Sequence, residues 1–287
     1  MIPTLGRRSG AMLAAPLLLF LAALLAVPLA VDIVYALSRV TFETLRHPRL
    51  QGGQNFVTVL QDGGFWQAMG FSLRFGLLAS VVEVLLGLGL AIFLAPLLQV
   101  VPWLMALLVL PMMAAPALIG LMYRLLLQEF VGPVPYYWSL WFGDPPGFLT
   151  PANAFWTLST IEILQWTPFA LLILYGAWIA IPVELREASS LDGAGVMARL
   201  RYIELPWIRP ALFVVFFFRF IDSFRVFDNV YVLTGPGAGG STTSISIFIY
   251  EALFRRNDIG VAVAASLVLL VLAFGVLALL LRAAVRR

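Results

Sequence analysis

The chain has no lysine, and every one of its 18 strongly basic residues is arginine. A phosphate-binding G-x-x-x-x-G-K-[ST] loop uses its lysine to reach the β- and γ-phosphates. ATP hydrolysis through such a loop is therefore not an activity of this chain. Cysteine is absent too, which removes disulfides and thiolate metal sites. The single histidine, His47, leaves no His-pair metal site. Charge is scarce at 11% of residues, against about 25% in soluble domains. The net charge of +3 is small and the arginines are scattered, so nucleic-acid binding is not indicated.

What is present is apolar surface: 62% of the residues are hydrophobic. A bilayer crossing takes ~20 apolar residues. Leu13 to Val31, Val100 to Tyr123, Ile163 to Val183 and Ile259 to Leu281 are free of charge and long enough. Phe71 to Leu98 and Ala211 to Val232 are apolar but enclose charged residues. The reading is an all-α membrane protein with six transmembrane helices, forming one domain over residues 1–287 with a polar loop at 184–206. Arg7 and Arg8 precede the first apolar run, but it lacks a clear small-residue cleavage site, so a retained helix is expected rather than a signal peptide.

Six spans put both termini on one side. Arg7, Arg8, Arg282, Arg286 and Arg287 at the termini, with Arg186, Arg199, Arg201 and Arg209 beside the polar loop, would share that face. Arg39, Arg46, Arg49, Arg124, Arg255 and Arg256 would lie on or near the other. Basic residues favour the cytoplasmic side, so termini and polar loop are expected inside; the cluster at Arg39, Arg46 and Arg49 pulls the other way. The loop of residues 128–153 is rich in proline, glycine and aromatics, and is read as an interfacial anchor.

The polar loop is the most informative stretch. Pro182 ends the fourth helix, and Glu184 to Ser190 are good helix formers. Gly193 permits a left-handed backbone at no steric cost, so a short helix stops there. Ala194 to Tyr202 forms a second short helix, and Pro206 suits the first turn of the next span. The small side chains of Ala188, Ser189 and Ala194 would let another protein pack closely. A solvated connector with no partner fits the same residues.

Glu187-Ala188-Ser189-Ser190-Leu191-Asp192-Gly193-Ala194 followed by Ile203-Glu204-Leu205-Pro206 resembles the cytoplasmic loop of permease subunits in binding-protein-dependent ABC importers. That family carries E-A-A, a later glycine and I-x-L-P; Ser189 replaces the second alanine but stays small. Gln165-Trp166-Thr167-Pro168-Phe169, the stretch Phe218 to Asp228 and Leu233-Thr234-Gly235-Pro236-Gly237 are similar to the carbohydrate-type permeases, of the first-permease, maltose/glycerol-phosphate-like kind. The resemblance implies a path former for a sugar or sugar-like solute at the plasma (inner) membrane, not an enzyme. Coupling would run through Glu187, Ala188, Asp192 and Gly193. It implies no cofactor in this chain, with ATP and Mg held by a partner ATPase. The implied partners are a second permease, two ATPase subunits, an extracytoplasmic solute-binding protein and membrane lipid.

Charges inside apolar runs are expected to face a bundle interior or a wet cavity. Arg219, Asp222, Arg225 and Asp228 alternate in sign every three residues, a ladder that winds round one helix. It serves either as the wall of a solute path, where Arg and Asp bind hydroxyls, or as a self-neutralising structural ladder. Glu162, Gln165 and Trp166 on the fourth helix form either a carbohydrate-binding set or packing in which Glu162 pairs with Arg219 or Arg225. Glu83 and Arg74 are too far apart to pair with each other and are expected to meet other helices. Pro111, Pro116 and Pro168 are read as kinks. Two other functions compete: an ion-gradient-driven secondary transporter using the buried carboxylates, which has no need of the polar loop, and an intramembrane enzyme, for which no catalytic constellation is present.

Overall fold

A computed structural model describes residues 7–285 apart from Pro236, with side-chain environments over residues 15–275. Arg286, Arg287 and Pro236 lie outside the described residues, and the side chains of Arg7, Arg8 and Arg282 are not described. The chain is 78% helical. In order come α1 (Arg7–Ala36), β1 (Ser38–Arg39), β2 (Arg49–Leu50), α2 (Gln54–Gln61), α3 (Gly63–Val100), α4 (Trp103–Met113), α5 (Pro116–Leu126), α6 (Pro133–Phe142), α7 (Ala154–Ile179), α8 (Val183–Leu191), α9 (Val196–Arg199), α10 (Leu205–Phe224), α11 (Asp228–Thr234), α12 (Ile245–Tyr250) and α13 (Ile259–Val285). Among the described residues, three helices are long and apolar enough to cross a membrane, or four when the bent pair α4–α5 counts as one. Large apolar side chains stand exposed along α1, α3 and α4, a surface suited to lipid.

Two compact units divide the chain: residues 1–66 with 248–287, and residues 67–247. In the first, α1 packs on α13 and α13 on α2. The antiparallel hairpin β1–β2 pairs Ser38 with Leu50 and Arg39 with Arg49. In the second, Ala91 of α3, Ala170, Leu171 and Leu174 of α7 and Val215 of α10 make one core, joined by Met105 and Leu108 of α4. Phe71, Phe75, Leu158, Ile161, Val230 and Leu233 make another. Gly87 allows the α3–α7 approach: a Cβ there would fall 2.5 Å from the Ala170 Cβ and 2.8 Å from the Leu171 nitrogen.

Several expected boundaries change. The helix that carries the apolar run from Phe71 begins earlier, at Gly63, so Phe65 to Met69 belong to it. The expected span from Val100 to Tyr123 is two helices bent by 80°. The break falls at Ala114–Ala115 because the residue before Pro116 is pushed out of the helical region; Ala115 is extended, at ψ 133°. Pro111 and Pro168 lie inside continuous helices. The helix that carries the apolar run from Ala211 starts earlier, at Leu205, with Pro206 in its first turn as expected and Pro210 inside it.

Candidate functional site

Three helices of the second unit converge on one guanidinium. Spacing by three and four puts residues on one helix face. Hence α10 presents Arg219, Asp222 and Ser223 together, and α7 presents Glu162, Gln165 and Trp166. Arg219 Nε donates to Glu83 Oε2 of α3 at 2.6 Å, and Nη2 donates to Glu83 Oε1 at 3.1 Å. Nη2 also donates to Glu162 Oε1 at 2.8 Å and to Ser223 Oγ at 3.0 Å. Nη1 donates to Asp222 Oδ2 at 2.7 Å. The Trp166 ring covers the guanidinium, 4.4 Å from its carbon to the ring centroid. Glu83, Glu162 and Arg219 are buried, and burial without a partner would be costly for each.

Asn229 of α11 extends the network, its Nδ2 donating to Glu162 Oε2 at 3.2 Å and to Gln165 Oε1 at 3.1 Å. Gln165 Nε2 in turn donates to the Ala114 carbonyl at 3.2 Å. That carbonyl sits at the α4–α5 break, so Gln165 serves a backbone group the bend would leave unsatisfied. Of the sequence-predicted set, Glu162, Gln165, Trp166, Arg219 and Asp222 are thus brought together. The Glu162–Arg219 pair offered by the packing alternative is present.

The ladder is not continuous. Helix α10 ends at Phe224, and Arg225 follows as its C-terminal cap with φ −97°, ψ 20°. Asp228 begins α11 and is exposed. Arg225 and Asp228 therefore do not share a helix with Arg219. Only a long contact of 3.9 Å links Arg225 to Asp222, and the two side chains are 68% and 44% exposed. The sequence showed alternating charge; it did not show that the helix stops between the rungs.

The polar loop folds as α8, a turn and α9, followed by a π turn over Leu200–Glu204 that feeds α10. Gly193 has φ +75°. Ala194 N–H donates to the Ser189 carbonyl at 3.0 Å and Gly193 N–H to the Ser190 carbonyl at 3.2 Å. This bond pair with glycine in the left-handed region is a Schellman helix end. Glu187, Ala188, Asp192 and Gly193 are exposed, and so are the apolar Leu191, Val196 and Met197 at the tip.

A clasp that sequence reasoning missed holds the loop. Glu204, buried, lies 3.3 Å from Arg186 Nε of α8 and 3.3 Å from Arg199 Nε of α9. Arg186 also donates to the Trp178 carbonyl at 3.0 Å and stacks on that residue's ring. A carboxylate inside I-x-L-P, with arginines five and eighteen residues upstream, was the available signal. Asn229 was likewise missed; Glu83, a lone carboxylate in a long apolar helix, does meet another helix as expected, and the partner the sequence left unnamed is Arg219.

No family model matches the chain. Similar proteins are nevertheless consistent in kind. The trehalose/maltose transport system permease protein MalF of Thermococcus litoralis is 33% identical over 222 residues, 77% of this chain and 75% of that protein. The trehalose transport system permease protein SugA of Mycobacterium tuberculosis is 29% identical over 291 aligned positions, 96% of this chain and 86% of that protein. Among solved structures, a chain of a bacterial alginate ABC transporter, in complex with an alginate pentasaccharide-bound periplasmic protein, superposes with TM-score 0.77 at 20% identity, over 93% of this chain and 91% of that one. At that identity the superposition speaks to fold.

Proposed function

The chain belongs to the carbohydrate-type permease subunits of ABC importers, and from that premise we propose that it is the first-permease subunit of a binding-protein-dependent importer for a sugar or sugar-like solute. Its six spans would be α1, α3, the bent pair α4–α5, α7, α10 and α13. It would sit in the inner membrane with both termini cytoplasmic. The observation that carries the reading is the α8–α9 hairpin. Its Schellman turn at Gly193 presents Glu187, Ala188, Asp192 and the apolar tip outward, while its base is clasped to α10 through Glu204. Such a projection, rigid at its base and apolar at its end, is suited to seat in another protein and to pass its movement to α10.

The partner at this projection is an ATPase subunit, which holds ATP and Mg. A second permease and a second ATPase complete the membrane assembly, and a solute-binding protein delivers cargo from outside. The cargo class rests on the trehalose and maltose named for the relatives. Asp222, Arg225 and Asp228 are the charged groups left open to a solute. Arg219, backed by Glu162 and covered by Trp166, fixes Asp222 through its 2.7 Å bond.

The test is uptake by proteoliposomes holding the chain with its co-purified partners. Uptake is expected to follow internal ATP and loaded binding protein. Uptake that instead follows an imposed proton or sodium gradient without ATP overturns the reading.

A further inference from the structure

We propose that the β1–β2 hairpin is a binding site for the headgroups of anionic phospholipids, with Arg39, Arg46 and Arg49 as its cationic contacts. The site depends only on α1 crossing the membrane and not on what the chain transports.

Position comes first. The apolar stretch Ala15–Ala36 of α1 has none of its best spanning window buried, the least of the three long apolar helices described. Arg39 follows its last residue by three positions, a reach of at most ~11 Å. That sets the hairpin at the edge of the hydrocarbon, where phosphates lie.

The hairpin is also fixed in place. Asn55 Nδ2 donates to the Ala36 and Ser38 carbonyls, both at 2.8 Å. Ile259 N–H donates to the Val40 carbonyl at 3.0 Å, and Phe42 N–H to Asn257 Oδ1 at 2.9 Å. Gly260 lets the strand base sit against α13, since a Cβ there would fall 2.5 Å from the Ser38 oxygen. The arginines are thus held on a platform rather than on a loose loop.

The charge pattern then calls for an anion. Arg39 and Arg49 are directly opposed across the ladder, an arrangement of like charges that weakens a hairpin. Arg46 lies in the connecting turn, and all three are exposed. Among the described residues, none has a carboxylate within 4.0 Å. Glu43 is the one acidic residue between Ser38 and Gln61. Guanidinium groups match phosphate oxygens in pairs of hydrogen bonds. A single phosphodiester between Arg39 and Arg49 would relieve their repulsion.

The flanks choose lipid over an acidic protein surface. Leu50, paired with Ser38 beside the arginine pair, is 76% exposed, and Phe42 of the turn is 46% exposed. Apolar side chains next to arginines suit the headgroup boundary, with the apolar groups towards the acyl chains and the guanidiniums towards phosphate.

The experiment reconstitutes the intact assembly containing this chain into phosphatidylcholine bilayers. It measures the relative association of spin-labelled phosphatidylglycerol and spin-labelled phosphatidylcholine by electron paramagnetic resonance. The wild type is expected to prefer phosphatidylglycerol, and Arg39→Gln/Arg46→Gln/Arg49→Gln to lower that preference roughly tenfold or more at the selective site. Glu43→Gln, which removes the local acid, is expected to raise it. These exposed substitutions are checked for intact assembly by gel filtration, and the Glu43 variant carries the test if the triple variant does not assemble. A wild type without preference, a triple variant that keeps it, or a Glu43 variant that lowers it overturns the proposal. So does unchanged lipid selectivity in the triple variant with lost binding of the solute-binding protein, which would make the hairpin an acidic-protein contact.

Discussion

Arg219 of α10 and Glu83 of α3 meet in a two-point pair, at 2.6 and 3.1 Å, although 136 residues separate them in sequence. The planar guanidinium engages both carboxylate oxygens, a geometry lysine cannot reproduce. With Glu162 on α7 the same side chain ties three helices at one point. Arg219 is thereby fully occupied by protein groups. Buried charge of this kind fixes which faces the helices present to one another, and it does so only while every member is present.

Arg219→Met is therefore expected to leave Glu83 and Glu162 without their cation and to destabilise the fold by ~3–5 kcal/mol. Thermal unfolding of the purified assembly in detergent checks this. Arg219→Lys is expected to recover only part of the loss, since one ammonium cannot hold both Glu83 oxygens and Glu162 with the same fork. Full recovery by lysine would mean that charge alone matters at this point.

The closeness of α3 and α7 supports a second prediction. Gly87→Ala would set its methyl 2.5 Å from the Ala170 Cβ, an overlap that costs ~1–3 kcal/mol where the helices cannot part. Ala170→Gly in the same molecule removes that methyl contact. The double variant is expected to unfold at a higher temperature than Gly87→Ala alone, even though it adds a helical glycine. The Leu171 nitrogen, 2.8 Å from the same point, keeps the recovery partial.

Apolar length made most of the helices legible, and the polar loop with its glycine stop was legible because a left-handed turn and a first-turn proline leave local marks. The 80° bend at Ala114–Ala115 was half visible: Pro116 marked the place, but a proline alone fixes no angle, and Pro111 and Pro168 carry the same mark without a break. The end of α10 at Phe224 left no comparable mark, so a periodic charge series was read across it. The pairs that organise the site, Arg219 with Glu83 and Glu204 with Arg186 and Arg199, join positions from different helices. Helical spacing governs neighbours on one helix and says nothing of which charge meets which across a bundle.

Gly193 supplies a third prediction. Its φ of +75° costs a β-branched residue about 1–3 kcal/mol, and asparagine much less. No atom crowds the position, so the effect is on the turn alone. Gly193→Val is expected to leave an assembled protein whose ATPase partner no longer responds to loaded binding protein, and Gly193→Asn to keep most of the response. Equal ATPase stimulation in both variants would detach the turn from coupling.

The Glu204 clasp separates a structural role from a coupling one. Glu204→Gln keeps the side chain's shape and one carbonyl acceptor but removes the charge between Arg186 and Arg199. The loss is of two 3.3 Å ion-pair contacts, so it falls mainly on the loop. ATPase stimulation is expected to fall severalfold while the unfolding temperature of the whole assembly changes little. If unfolding drops sharply and stimulation per folded molecule is unchanged, the clasp only supports the fold.

Arg225 gives the sharpest test of the solute path, because its surroundings separate stability from function. Its side chain is 68% exposed, it caps α10, and among the described residues its ion pairing is limited to the 3.9 Å contact with Asp222. An exposed pair contributes ~0–1 kcal/mol, so Arg225→Ala is expected to assemble and unfold like the wild type. Asp222 differs: its other oxygen takes a 2.7 Å bond from buried Arg219, so Asp222→Ala disturbs the network and its transport effect is harder to read. Uptake is therefore compared in wild type, Arg225→Ala and Arg225→Lys at equal assembly. If Arg225 touches the cargo, alanine raises the KM for uptake or changes the order in which sugars compete, and lysine restores part of the loss by donating to the same hydroxyls. Loading of the binding protein stays unchanged, because that step precedes this chain. Unaltered KM and competition order in Arg225→Ala would place the path elsewhere and leave Arg225 as a helix cap.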